Sequence, residues 1–361
     1  MNTRTAILRV TLLVLAGVVG TLLVLELMLQ ALPVGGRNIY AADPAAAWPV
    51  HHLVPDVEYV HSTDWNLLNV HRGHVNKQGY VAPFDYPIDG GGVALFGDSY
   101  VEGLMNLYRD TVQGRLPNLL RMRQPVMQFA VSGSSLPDYL GLAPLITAKY
   151  RPDWAVVVLV YGDFSGGYSA DDGHFVWSTS DPALVRLLPV KPRSALQKQI
   201  RRLALLRYLR YNLKATVAGL MAPKHALTSS ATATACTTTT LAEADVTLLA
   251  GAVRRLPSAL GLAPGRVVLV FDSNRAALYA GHRASLDGDC GTREGLALTR
   301  LRSLAAEQGI HTIDTAPLFT RFYAATGRRV DYSPVDYHWN AEAHRLVAQE
   351  LATIINAGAR H

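Results

Sequence analysis

Only two cysteines, Cys236 and Cys290, occur in 361 residues, and no Cys-x-x-Cys is present. That excludes a metal site built on paired thiolates. Outside the cytoplasm the two could close one disulfide, and inside it they would be two thiols; both readings stay open at this point. No glycine-rich dinucleotide or phosphate fingerprint occurs, so no nucleotide cofactor is expected. The net charge is +6, but no aromatic-interleaved basic run or zinc-finger spacing accompanies it, so no nucleic-acid partner is expected. His51, His52, His71 and His74 have no fixed frame of further ligands around them, so no metal is expected either. Acidic residues are missing altogether from Pro182 to Leu241.

Long apolar runs are scarce too, with one exception at the N-terminus. Val10 to Leu25 is apolar apart from Thr11 and Thr21, and beyond Glu26 the pattern resumes to Leu32. Counted from Ala6 to Leu32, the stretch is long enough to cross the roughly 30 Å hydrocarbon core as a helix. Glu26 then lies near the far end, within reach of water. Arg4 and Arg9 precede the stretch and point to a cytoplasmic N-terminus. A cleaved signal peptide would carry a shorter apolar core, about 7–15 residues, with a small-x-small site close behind. Here the small-residue run Ala45-Ala46-Ala47 comes too far downstream. The expectation is an uncleaved single-pass anchor in an inner membrane, with the rest of the chain exported to the periplasm.

Residues 1–32 therefore read as cytoplasmic tip and anchor, and 33–92 as a juxtamembrane linker with a small irregular lead-in. From Val93 to the C-terminus, short apolar runs alternate with helical stretches, which marks a parallel sheet with crossover helices. The strands expected are Val93–Gly97, Pro125–Val131, Trp154–Tyr161, Arg266–Phe271 and Ile310–Asp314. Helices are expected around Met105–Arg123, Asp138–Lys149, Glu243–Leu260, Thr292–Gln308 and Ala341–Ile355. Between the third and fourth strands lies a connection far longer than an ordinary crossover, an insertion at about 164–265. Its acid-free part, about 186–224, mixes Arg193, Lys198, Arg201, Arg202, Arg207, Arg210 and Lys214 with Ile200, Leu203, Leu206, Leu209 and Leu213. That mixture predicts a basic amphipathic helix, which could dock on the domain, cover a site, or meet anionic lipid or saccharide. Thr228–Thr240 reads as a flexible loop.

The most informative run is Val93-Ala94-Leu95-Phe96-Gly97-Asp98-Ser99-Tyr100-Val101-Glu102-Gly103. A serine ends an apolar strand, at the edge where open α/β sheets put their active sites. Its hydroxyl needs a base, and Asp336-Tyr337-His338-Trp339-Asn340, just before the last helix, offers one. Together the two motifs resemble the SGNH (GDSL) hydrolase family, over roughly Val93 to the C-terminus. The resemblance implies a three-layer α/β/α domain around a five-stranded parallel sheet. It also implies esterase chemistry through a serine acyl-enzyme. Membrane-anchored bacterial members have lead-ins with an element like Asn76-Lys77-Gln78-Gly79-Tyr80; a plain turn at Gly79 is the other reading.

Ser99 is the expected nucleophile, His338 the base and Asp336 the group that orients it. The commoner family pattern puts the acid three residues before the histidine, at Val335 here. The Asp-x-His-Trp form is similar to exopolysaccharide O-acyltransferases of the alginate-acetylation type, whose Asp/His motif precedes the serine. His344, one turn into the final helix, is expected to be exposed. For the oxyanion, the resemblance implies the Ser99 amide, a glycine after the second strand (Gly133) and an asparagine after the third. In place of that asparagine the chain reads Tyr161-Gly162-Asp163-Phe164. Either Gly162 takes its position or Asp163 replaces the amide, although an ionised carboxylate cannot donate. Asn274, after the fourth strand, is a further candidate donor; a plain turn residue is the other reading. The function expected is a serine esterase acting on acyl esters. The alternatives are an O-acetyltransferase for an envelope or secreted polysaccharide and a non-catalytic glycan-binding protein.

Overall fold

The structure is a computed structural model that describes residues 3–36, 50–88, 90–121, 124–165, 173–178, 185–189, 194–214, 240–272, 275–279, 292–333 and 336–358. Cys236, Cys290, Asn274, Val335 and nearly all of Thr228–Thr240 lie outside them. The chain forms two compact units: Met1–Ile39 with Tyr59–Arg72 and Arg193–Ala226, and the remainder.

The larger unit holds five parallel strands: β1 (Val93–Gly97), β2 (Val126–Ala130), β3 (Trp154–Leu159), β4 (Val267–Phe271) and β5 (His311–Asp314). Their order is β2-β1-β3-β4-β5, with Val93 level with both Val126 and Trp154. The first four are buried along their whole length, as strands covered on both faces must be, and this is why they read as unbroken apolar runs. Alternate residues point to opposite faces. Val93, Leu95, Val156, Val158, Val268 and Val270 share one core with the helices Thr315–Thr326 and Ala341–Gly358. On the other side Leu136–Tyr150, Glu243–Ala259 and Arg293–Glu307 pack on one another, and the last of them on β4 and β5. The order reverses between β1 and β3, so a crevice opens at the carboxyl ends of these two strands.

The lead-in is more ordered than its composition suggests. Asn76 is fully buried, and its side-chain oxygen accepts from the Gln78 and Tyr80 amides at 3.1 and 3.0 Å. Gly79 turns the chain at φ +83°, where a Cβ would meet the Leu53 carbonyl oxygen at 2.9 Å. Tyr80 and Tyr86 then pack edge-on against Phe129, and the Tyr86 hydroxyl bonds both the amide and the carbonyl of Gln128. The lead-in thereby covers the outer edge of β2, which would otherwise offer unpaired backbone.

Two expected helices are broken up. Among its described residues, Met105–Arg123 contains only short turns, Tyr108–Asp110, Val112–Arg115 and Leu116–Asn118. Thr111 restarts the chain by accepting from the Gly114 amide, and Pro117 has no N–H to continue a helix. The basic stretch is likewise split into Ala195–Ile200, Ala204–Arg207 and a wide turn at Tyr208–Asn212.

In the smaller unit the N-terminal helix α1 (Thr3–Ala31) carries a 27-residue apolar span, Thr5–Ala31, none of it buried. The Glu26 carboxylate accepts from the Ala204 and Leu205 amides, each at 2.8 Å. Arg207 donates to the Val34 carbonyl at 3.1 Å, and the Asn212 side-chain oxygen accepts from the Gly35 amide at 3.2 Å.

Candidate active site

Ser99 stands at the first position of a one-turn helix, α2 (Ser99–Glu102), directly after β1. The local sequence builds this elbow. A Cβ at Gly97 would lie 2.3 Å from a Val101 methyl, so only glycine lets the strand turn so tightly. Asp98 caps the turn, accepting from the Tyr100 amide at 2.9 Å. Gly103 ends it in the left-handed region at φ +67°.

Asp336 and His338 lie on a short strand (Asp336–Trp339) that leads into the final helix. The His338 Nε2 is 2.8 Å from Ser99 Oγ. Its Nδ1 bonds the Asp336 carboxylate, which also accepts from the His338 amide at 3.0 Å. Asp336 is buried, whereas the imidazole is about one quarter exposed. A carboxylate facing Nδ1 places the ring proton there and leaves Nε2 as acceptor toward the serine. The geometry thus brings all three expected residues into one line.

Around the serine, the Gly133 backbone adopts φ +86° in the loop after β2. Among the described residues, neither the Ser99 nor the Gly133 amide enters a turn or cap hydrogen bond. Gly162 also has positive φ, +95°. Asp163 turns inward: its carboxyl accepts from the Val160 amide at 3.0 Å and from the Tyr139 hydroxyl at 3.1 Å. Burial, helped by the nearby Asp98 carboxylate, pushes the Asp163 pKa well above the usual carboxylate range. Burial likewise raises Asp98.

Several residues around the site had no clear sequence signal. Glu102, three residues after Ser99 and fully buried, accepts from the Ser132 amide at 3.3 Å and from the Ser132 hydroxyl. It therefore ties the loop that presents Gly133 to the helix that presents Ser99. Burial pushes its pKa up to about 7. Arg275, also buried, forks onto Asp272 at the end of β4 and onto Asp331, and donates to the Tyr100 hydroxyl. The Tyr100 ring lies 4.8 Å from the His338 ring.

His344 contradicts its expected exposure. It is fully buried, and its Nδ1 accepts from the Val112 amide at 3.2 Å. Burial drives its pKa down to about 3, so it is neutral and structural. The signal was available: His344 lies three and seven residues before Val347 and Leu351, on the buried face of the helix.

No protein-family model matches the chain, and no curated protein matches it in sequence. Solved structures do resemble it. One is a member of the lipolytic G-D-S-L family from Veillonella parvula, at 13% identity and TM-score 0.34 over 73% of this chain and 96% of that one. A lipase/acylhydrolase from Enterococcus faecalis matches at 12% and 0.38, over 74% and 96%. A two-domain esterase active on acetylated mannans matches at 11% and 0.36, over 74% of this chain and 49% of that one. The class defined by the chain's own topology is an open α/β fold around a five-stranded parallel sheet, as the sequence resemblance implied.

Proposed function

We propose that the chain is a membrane-anchored serine esterase that opens acyl esters through an acyl-enzyme on Ser99. The observation that carries this reading is the alignment of Ser99 Oγ, the His338 imidazole and the Asp336 carboxylate. His338 Nε2 takes the serine proton as Oγ attacks the ester carbonyl, and Asp336 stabilises the imidazolium that results. The amides of Ser99 and Gly133 receive the developing oxyanion. Of the two candidates for a third donor, the Gly162 backbone is the one this geometry favours, because the Asp163 carboxyl is turned inward onto the Val160 amide and the Tyr139 hydroxyl. His338 then protonates the departing alcohol. Water, activated by the same imidazole, releases the acid.

The anchor reading is supported by the fastening of α1 to a later segment through Glu26, whose carboxylate accepts from the Ala204 and Leu205 amides. Cleavage behind an apolar leader would remove the acceptor that two amides of that segment use. With the N-terminus cytoplasmic, the esterase unit faces the periplasm.

The test is active-site labelling of the detergent-solubilised full chain with a fluorophosphonate. Wild type is expected to label and Ser99→Ala to lose the label. Equal labelling of both would refute the serine mechanism.

A further inference from the structure

The stretch from Ala195 to Leu213 carries its amphipathicity the wrong way round for a water-facing element. Leu203, Leu206, Leu209 and Leu213, spaced by three or four residues, are 42, 40, 36 and 40% exposed. On the opposite face Ala204, Arg207 and Asn212 are 0, 5 and 3% exposed. The polar residues of that face are bonded to backbone and hydroxyl groups of the same unit: Arg207 to Val34, Asn212 to Ser62 Oγ at 2.8 Å. Leu196 and Ile200 continue the apolar side upstream and are also exposed. A soluble helix buries its leucines and exposes its arginine. In these short helical pieces the leucines are exposed while Arg207 is buried, an arrangement that suits an outer face meeting something other than water.

The depth of the segment is set by α1. Twenty residues from Ala6 to Leu25 rise about 30 Å, the thickness of a hydrocarbon core. Glu26 follows at once, and its carboxylate holds the Ala204 and Leu205 amides. The outward leucines are thereby fixed at the level where hydrocarbon gives way to headgroups. Lys198, Arg201, Arg202 and Arg210 are exposed in the same stretch, and no acidic residue occurs from Pro182 to Leu241 to offset them.

We propose that Ala195–Leu213 is an interfacial docking element, which sinks its leucine face into the leaflet where α1 ends and sets its basic side chains against anionic headgroups. The proposal rests on the anchor reading above. Leucines buried to the acyl boundary supply the apolar term, and each basic side chain near an anionic surface adds an attraction of modest size. The stretch thus adds a second, non-spanning hold on the bilayer.

The experiment uses the full chain in phospholipid vesicles with and without phosphatidylglycerol. Separate variants carry the photocrosslinker p-benzoylphenylalanine in place of Leu206, Leu209 or, as a reporter of the span, Leu13. Irradiation followed by mass spectrometry reads phospholipid adducts. Retained fluorophosphonate labelling shows that each variant is folded. Adducts at Leu206 and Leu209 comparable to those at Leu13 are expected, with at least about twofold higher yield when phosphatidylglycerol is present. Adducts at Leu13 without adducts at Leu206 and Leu209 overturn the docking element and leave the anchor standing. No adduct at Leu13 refutes the anchor, and the docking element with it. Equal yields in the two vesicles overturn the preference for anionic lipid.

Discussion

Arg275 donates at 2.5 Å to the carbonyl oxygen of Tyr337, the residue between Asp336 and His338. One guanidinium therefore joins the end of β4, through Asp272, to the strand that carries both the acid and the base of the candidate triad. It also fixes Tyr100, which flanks His338. The clamp sets where the imidazole stands without touching it.

Removing that clamp is expected to cost activity and stability together. Arg275→Ala leaves Asp272 and Asp331 buried beside a lost cation, a loss of roughly 3–5 kcal/mol in typical buried pairs. Arg275→Lys keeps the charge but not the fork, and is the more informative variant. Its kcat should fall by about 10²-fold with KM little changed, since small misplacements of catalytic groups have effects of that size. Ester turnover measured beside thermal unfolding checks this; a stable Arg275→Lys protein with unchanged kcat would show that the clamp serves the fold alone.

Asp336→Asn keeps the shape of the side chain and removes the charge opposite Nδ1. Turnover on a simple acetyl ester should fall on the order of 10⁴-fold. His338→Ala should be at least as damaging, and the double variant no worse than His338→Ala, because both residues act in one proton transfer. Activity of Asp336→Asn within about twofold of wild type would remove Asp336 from the mechanism. Asp331 is no substitute, being engaged with Arg275 and Arg329.

Glu102 predicts a pH dependence of stability. Its pKa is raised to about 7 in the folded chain, against about 4.3 when unfolded. Between those values the folded state holds more protons than the unfolded one, so its contribution falls as pH rises and is lost above about 7. Asp98 and Asp163 are raised too, and add a trend of the same sign. Glu102→Gln keeps an acceptor for Ser132 and abolishes the titration. The variant should therefore lose less stability than wild type between pH 5 and pH 8, seen in unfolding midpoints of the detergent-solubilised chain. Parallel curves for the two proteins would rule out the raised Glu102.

Much of this fold was legible because buried parallel strands announce themselves as apolar runs, and all five fell within two residues of expectation. Ser99, His338 and Asp336 were legible as candidates because they sit in two short motifs, one closing the first strand and one just before the last helix. What escaped depends on partners distant in sequence. Nothing near Arg275 reveals that Tyr337 lies against it. The expected basic helix breaks before Ala204 because Glu26, 178 residues earlier, caps a new start there. The expected helix from Met105 fails for a local reason that could have been read: Gly114 packs on the Tyr108 carbonyl oxygen, where a Cβ would come within 2.0 Å, and Pro117 follows.

Topology is open to a direct check. A reporter active only after export, fused to the C-terminus, is expected to be active, and the protein should stay with membranes through a high-salt wash. Appearance of a shortened soluble form would identify α1 as a cleaved leader.

In the proposed anchored protein, Glu26 makes α1 more than an exchangeable tether. Truncating the chain just before Pro33, the usual way to obtain a soluble enzyme, deletes the acceptor of the Ala204 and Leu205 amides and leaves the leucine face in water. Such a product should clump through that face even if Ser99, His338 and Asp336 remain aligned. Replacing α1 by an unrelated spanning helix without an acid at the matching turn should restore membrane residence but not solubility of this segment in mild detergent. The chain is best handled with its own first thirty-odd residues in place.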